Sequence, residues 1–316
     1  MNHLSKIFVA GHSGLLGSSL VKSLTNLGHS NLVLRSHREL DLEIYDEVER
    51  LFIQEKPEYV FLAAAKVGGI VANRDNSGDF IRKNLQIQTN VIHLAKKYSV
   101  KRLVFFASAC NYPKYCSVPI REEDLFNGHL ESTNKAYAVA KLAGIAMCEA
   151  YNSQYGTEFI TLIPTNLYGE KDNFDLQHSH VLPALVRKFV EAMQNNQEKV
   201  IVWGTGKATR DFLFVDDLAM AAIDVANLPE LTSHQFVMNV GSGLSISIRD
   251  LAKKVSEIVG FKGEIEFDSS LPDGTPERYM DIKRISAIGW APTIGLQEGL
   301  ERVVEHYSEQ MKHVSV

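Results

Sequence analysis

A chain of 316 residues with 45% hydrophobic and 22% charged residues is long enough to bury one large core or two smaller ones without staples. Its formal net charge of −5 and lack of a polybasic tract argue against a nucleic-acid or anionic-membrane partner. Cys110, Cys116 and Cys148 are odd in number and none stands in a Cys-x-x-Cys pair, which sets aside a disulfide framework and points to a reducing compartment.

No basic segment followed by a long apolar run opens the chain. The longest apolar run, residues 59–71, is broken by Lys66 and falls short of the roughly 20 residues that span a bilayer. A cytoplasmic protein is expected.

In chain order, strands are predicted at residues 7–10, 31–34, 59–62, 103–107 and 159–163, and helices at 14–27, 45–56, 80–98 and 135–155. The helical stretches repeat apolar residues at three- and four-residue spacing. Such alternation, with right-handed crossovers, makes an α/β fold with a doubly wound parallel sheet. Beyond Pro164 the elements shorten and the loops fill with Gly, Asp and Asn, as a smaller, mostly C-terminal α/β lobe would require. Residues 212–227 again read as strand then helix. The expected division is therefore 1–166 plus about 212–240 in a cofactor domain, and about 167–211 plus 241–316 in a substrate domain.

The first strand runs into Gly11-His-Ser13-Gly14-Leu15-Leu16-Gly17 and then an amphipathic stretch. Glycines there let backbone approach a pyrophosphate, while the helix N-terminus offers unpaired N–H groups and a positive dipole end. Gly11 and Gly14 serve the turn, and Gly17 permits close helix packing. A glycine trio can also serve turn geometry alone. After the second strand stand Arg35, His37 and Arg38, with no acidic residue to take a ribose 2′-hydroxyl. A basic cluster can neutralise a 2′-phosphate, which tilts the cofactor toward NADP(H).

Tyr137 and Lys141 stand four apart on a predicted helix and share a face. A neighbouring ammonium is expected to lower the phenol's pKa, making Tyr137 a proton donor to a carbonyl under reduction. Ser108, at the end of the fourth strand, is placed to hydrogen-bond the same carbonyl. Carboxyl ends of strands are where such sheets hold ligands.

Together these residues resemble the extended short-chain dehydrogenase/reductase family, with its Rossmann-type cofactor domain, and the resemblance runs over nearly the whole chain. It is carried by Gly11 to Gly17, His37-Arg-Glu-Leu-Asp-Leu42, Ala63-Ala-Ala-Lys-Val-Gly-Gly-Ile-Val-Ala-Asn73, Ser108-Ala-Cys-Asn-Tyr-Pro113 and Tyr137 to Lys141. Further stretches are Pro164-Thr-Asn-Leu-Tyr-Gly169, Ser179-His-Val-Leu-Pro183, Val202-Trp-Gly-Thr-Gly206, Arg210-Asp-Phe and Pro272-Asp-Gly-Thr-Pro276.

The resemblance implies an NADP(H)-dependent oxidoreductase that reduces the C4 keto group of a GDP-linked 4-keto-6-deoxy sugar. It implies that Ser108, Tyr137 and Lys141 form the reductive site, and that Cys110 and His180 epimerise C3 and C5 as an acid–base pair. A 4-keto group acidifies both neighbouring C–H bonds, and each inversion needs a base on one face and an acid on the other. Cofactor contacts are expected from Gly11, Ser13, Gly14, Leu15, Leu16, Gly17, Arg35, Arg38, Asp41, Leu42, Ala63, Ala64, Ala65, Tyr137, Lys141, Pro164, Asn166, Leu167 and His180. Substrate contacts are expected from Ser108, Asn166, Lys188, Trp203 and Arg210, with Arg278 near the diphosphate. Trp203 reads equally as core. A metal reading of His178-Ser-His180 lacks further ligands at suitable spacing.

Three positions depart from the family pattern. Ser13 stands where an arginine is common, His37 where another base is common, and Glu277 is unfriendly to a diphosphate. These departures leave room for reduction at C4 alone, on a related hexose or heptose; a rival of another class, since fold does not fix function, is a non-catalytic dinucleotide binder, which would be expected to lose Tyr137 or Lys141 first. The resemblance also implies a homodimer built on the helices at 80–98 and 135–155.

Overall fold

The computed structural model describes residues 1–176, 179–271 and 274–314. Strand β1 (Ile7–Ala10) is apolar and buried throughout, as a strand covered on both faces by helices must be. It pairs in parallel with β2 (Leu32–Val33) on one side and β3 (Tyr59–Leu62) on the other. Strands β4 (Arg102–Phe106) and β5 (Phe159–Pro164) continue the sheet, and the strand Val237–Val240 closes it beside β5. The second strand is only two residues long where four were expected, because it lies at the sheet's edge with a single pairing partner.

Helices α1 (Leu15–Asn26), α2 (Tyr45–Glu55), α4 (Ser77–Lys97) and α5 (Lys135–Tyr155) sit where periodicity placed them, and a short α3 (Ile70–Asp75), hidden behind Gly68 and Gly69, precedes α4. Alternation along β1 sorts the two faces. Phe8 and Ala10 join a core with Val48 and Phe52 of α2, Val91 and Leu94 of α4 and Ile145 of α5. Ile7 and Val9 face the other way, onto Leu20 and Leu24 of α1.

After β5 come β6 (Asn166–Tyr168), α6 (Val181–Gln194), β7 (Lys199–Trp203), β8 (Thr209–Arg210), β9 (Phe212–Phe214) and α7 (Val215–Asn227). Helix α7 returns to pack on α1, and β10 (Val237–Val240) is the sixth strand of the main sheet. The chain ends through β11 (Ile246–Ser247), α8 (Ile248–Val259), β12 (Glu264–Asp268), β13 (Glu277–Arg278), α9 (Lys283–Ser286) and α10 (Leu296–Val314). Leu185, Phe189, Leu251, Val255, Leu300 and Val303 form the core of this second lobe. One stretch departs from the expected division. Ile285 and Trp290 are buried against α7 and β10 in the core of the main sheet, so their apolar side chains carry residues 285–290 back to the first lobe. Among the described residues no helix is long and apolar enough to cross a membrane.

Candidate active site

Connections leave β1 and β3 toward opposite sides of the sheet, since β2 lies beyond β1 and β4 beyond β3. A crevice opens at the carboxyl ends of such a pair. Gly11 bends the chain there at φ +84, and a Cβ on it would lie 2.7 Å from the Ala64 backbone, so the loops after β1 and β3 touch. A Cβ on Gly17 would stand 2.0 Å from the Gly11 carbonyl oxygen. Gly14 is different: its nearest neighbour, also the Gly11 oxygen, would be 3.5 Å away, an ordinary contact. Packing within the protein leaves room for a side chain there, and a bare position suits the close approach of a pyrophosphate. Helix α1 opens without a side-chain cap bond or an acidic residue in its first turn, leaving the N–H groups of Leu15 and Leu16 and the dipole for an anion. These residues fit a dinucleotide. Gly17→Ala is expected to cost about 1–3 kcal/mol of stability and to weaken dinucleotide binding, as measured by thermal unfolding and cofactor titration.

The basic residues after β2 do not stand equally. Arg35 donates to Glu55 at 2.5 Å and to the Leu34 carbonyl at 2.9 Å, so its guanidinium is committed to the protein, contrary to the expected phosphate contact. Arg38 and His37 are exposed, with His37 lying 3.9 Å from the Asp41 carboxylate. Asn90 holds this segment by donating to the Leu42 carbonyl at 2.9 Å. Ala63, leaving β3, donates to the Ala10 carbonyl at 3.0 Å, and Ala64 and Ala65 follow it into the crevice.

Ser108 follows β4 in extended conformation and starts a short helical turn, Ala109–Asn111. Its N–H donates to Asn111 Oδ1 at 2.9 Å, and Asn111 Nδ2 donates to the Ala138 carbonyl of α5 at 2.8 Å. A buried asparagine, not singled out from sequence, thus fixes the turn against the helix that carries Tyr137 and Lys141. Gly144 lets α5 sit this close, since a Cβ there would meet Phe105 at 2.4 Å. The Ser108 hydroxyl accepts from the Cys110 N–H at 3.3 Å and lies close enough to Tyr137 to act on its phenol, whose ring stands edge-on to Phe80 at 6.4 Å.

The expected depression of the phenol's pKa is not what the structure holds. Burial, and next the charge of Cys110, push Tyr137 up, and the Ser108 hydrogen bond offsets only part of this. Lys141 is buried, donates to the Phe106 carbonyl at 2.8 Å and lies over the Phe105 ring at 4.7 Å. Among the described residues no carboxylate compensates its lost hydration, and burial lowers its pKa to about 7. Burial is the leading cause at both groups, so Tyr137 keeps its proton, the form a proton donor needs. A lysine lowered on folding binds fewer protons folded than unfolded, so stability rises with pH between the two values. The wild-type chain should therefore gain stability relative to Lys141→Met from about pH 7 to about pH 10, read as the difference in urea midpoints. A flat difference would mean that Lys141 stays charged when folded.

Cys110 is half-buried in the same turn, and Asn134 Nδ2 stands 3.0 Å from its Sγ. His180 is the N-cap residue of α6. It keeps an open face, yet the surrounding protein desolvates it and pushes its pKa below the usual value, so its imidazole is neutral at pH 7. His178, and Pro272 and Asp273 of the last loop motif, lie outside the described residues.

In the second lobe, Asn166 donates to the Asp211 carbonyl at 2.9 Å. Lys188 donates to the Ile201 carbonyl at 2.9 Å with its ammonium 5.5 Å from the Trp203 ring centre. Trp203 is 55% exposed, which excludes the core reading and leaves an indole face open. Arg210 is half-buried and donates to the Thr209 carbonyl at 2.7 Å. Arg278, expected near a diphosphate, does something else. It is buried, and its guanidinium donates to the carbonyls of Ala109 at 2.5 Å and Pro113 at 3.0 Å, bracing the turn after Ser108 from behind. Its neighbour Glu277 is exposed and lines a cavity of about 400 Å³ with Lys114, Tyr115 and Cys116.

A glycine-turn sheet with serine, tyrosine and lysine at one crevice defines a dinucleotide-dependent oxidoreductase of the short-chain type. The chain belongs to the NAD dependent epimerase/dehydratase family, whose model matches residues 7–241. It is 52% identical to the putative GDP-L-fucose synthase 2 of Arabidopsis thaliana over 97% of this chain and 93% of that one. It is 44% identical to the GDP-L-fucose synthase of Escherichia coli K12 over 96% and 97%. Among solved structures it superposes on MlghC, a GDP-mannoheptose C4 reductase from Campylobacter jejuni with NADP bound, with a TM-score of 0.90 and 43% identity over 97% and 99% of the two chains.

Proposed function

We propose that the chain is an NADP(H)-dependent epimerase-reductase of a GDP-linked 4-keto-6-deoxy sugar, acting as the GDP-L-fucose synthases it is similar to are named for. The observation that carries the reading is the single turn, Ser108 to Asn111, which presents Ser108 and Cys110 together beneath Tyr137. Bound NADPH supplies a hydride to C4. Tyr137 gives its proton to the 4-oxygen, Ser108 hydrogen-bonds that oxygen, and the phenolate left behind takes up a proton again from the Lys141 ammonium or from solvent. Before reduction, Cys110 and His180 exchange the protons at C3 and C5. A Cys110 thiolate repels a phenolate at Tyr137, so the proton reserved for reduction stays in place while epimerisation proceeds.

Arg38 is left as the base for a 2′-phosphate. Exposed Trp203 with Lys188 beside it offers a face for the nucleotide base and a charge for its diphosphate. The outward face of α5 carries Ala136, Val139, Ala143, Ala146 and Ala150, with Val139 36% exposed, and supports a homodimer through α4 and α5. A cytoplasmic location accords with the three free cysteines.

A second reading, C4 reduction alone on a GDP-linked hexose or heptose, draws on the likeness to the Campylobacter jejuni reductase and on Glu277. The two separate in deuterated water. GDP-4-keto-6-deoxymannose and NADPH are incubated with the purified chain, and the product is examined by NMR. Deuterium at C3 and C5 with GDP-L-fucose formed supports epimerase-reductase action; reduction without exchange supports the second reading. No NADPH consumption overturns the first for this sugar and moves the trial to the heptose.

A further inference from the structure

An asparagine at a helix N-cap ordinarily turns its side chain onto the N–H of the second or third helical residue. Asn134 caps α5 but makes no such bond. Its Nδ2 instead points 24 residues back along the chain, to Cys110 Sγ at 3.0 Å, and its Oδ1 is buried without a hydrogen-bond partner. Elsewhere a cysteine sulfur behaves as a thiol: Cys116 Sγ donates to the Pro113 carbonyl at 3.6 Å. At Cys110 the sulfur is the acceptor, the role that a thiolate fills far better than a thiol.

We infer that Asn134 is a positioning residue that holds Cys110 in line and stabilises its thiolate for proton abstraction, an inference that rests on reading Cys110 as a proton-transferring group. The step balances. A substrate C–H bond next to the 4-keto group breaks, an S–H bond forms on Cys110, and the electron pair passes into the enolate toward the 4-oxygen. The sulfur then becomes a donor, and a carboxamide rotated by half a turn offers it Oδ1 in place of Nδ2. One side chain serves both protonation states. A hydroxyl on a short stem at this position could reach only part of that range.

The groups facing Cys110 are Tyr137 from α5, Asn134 at that helix's N-cap and Ser108 from its own turn. Arg278 binds the Ala109 carbonyl behind the turn and its charge bears on Cys116, so removing Asn134 takes away a donor aimed at the sulfur and leaves the other groups in place.

The test uses the full chain as wild type, Asn134→Ala and Asn134→Asp. Iodoacetamide labelling of Cys110 is followed by peptide mass spectrometry from about pH 6 to about pH 10, with Cys116 as internal reference. Deuterium exchange at C3 and C5 of GDP-4-keto-6-deoxymannose is measured beside it. Asn134→Ala should raise the labelling midpoint of Cys110 by about 1–2 pH units, the size of a lost hydrogen bond to a charged group. It should lower kcat for exchange about 10–100-fold with KM little changed. Asn134→Asp is close in size but sets a carboxylate against the sulfur, so its midpoint should lie above that of the alanine variant. A Cys110 midpoint unmoved in both variants, or an aspartate midpoint at or below wild type, overturns the inference. If the wild type exchanges no deuterium, the epimerase reading falls, while the labelling midpoints still decide what Asn134 does to the thiol.

Discussion

Tyr137→Phe lowers turnover about 10²–10⁴-fold, the usual loss when a general acid is removed, and leaves dinucleotide affinity within a few-fold. The ring keeps its edge-on contact with Phe80, so the site keeps its shape and loses only the proton. Steady-state NADPH oxidation with a 4-keto sugar nucleotide, set beside a cofactor titration, measures both quantities. Near-normal turnover would transfer the donor role to another group, with Ser108 first in line. Because burial holds the phenol protonated well above neutrality, wild-type turnover should not decline through loss of this proton as pH rises from about 7 to about 9. A decline there would instead report Lys141, whose pKa lies at about 7.

Cys110→Ser separates the two halves of the proposed reaction. A serine hydroxyl ionises far above neutral pH, so proton abstraction at C3 and C5 should fall about 10²-fold or more. Reduction of an already epimerised 4-keto sugar should fall far less, since hydride and proton delivery pass through the nicotinamide and Tyr137. His180→Gln should show the same division: its neutral imidazole can accept a proton at pH 7, and an amide cannot replace it. Deuterium at C3 and C5 of the product, read by NMR, scores both variants. Undiminished exchange in Cys110→Ser would leave that thiol as a packing residue of the turn and move the base for C3 and C5 to another group.

Backbone geometry and periodicity were legible in the amino-acid order. An apolar strand, glycines at three-residue spacing and an amphipathic stretch admit few folds, because only a helix N-terminus at a tight turn uses all three at once. Tyr137 and Lys141 shared a face by spacing alone, and Ser108 lay at a strand's end. Those signals are local, and local rules suffice to read them.

Tertiary structure decided what depended on contacts between distant segments. Arg35 and Arg38 look alike in sequence, yet Glu55, 20 residues on, claims one of them. Arg278 reads as a phosphate ligand until the carbonyls of Ala109 and Pro113 are found at its guanidinium. The sign of the Tyr137 shift also depended on the fold, since spacing brings the lysine near but only burial sets the cost of charge. Asn111 and Asn134 gave no sequence signal, because an asparagine acquires its role from the partner that folding sets before it. Chain order by itself thus determined the fold and the shared face of Tyr137 and Lys141, which rest on spacing within single elements; the electrostatics and the bracing of the candidate site came only with the packed structure, because burial and long-range hydrogen bonds do not exist until the chain is folded.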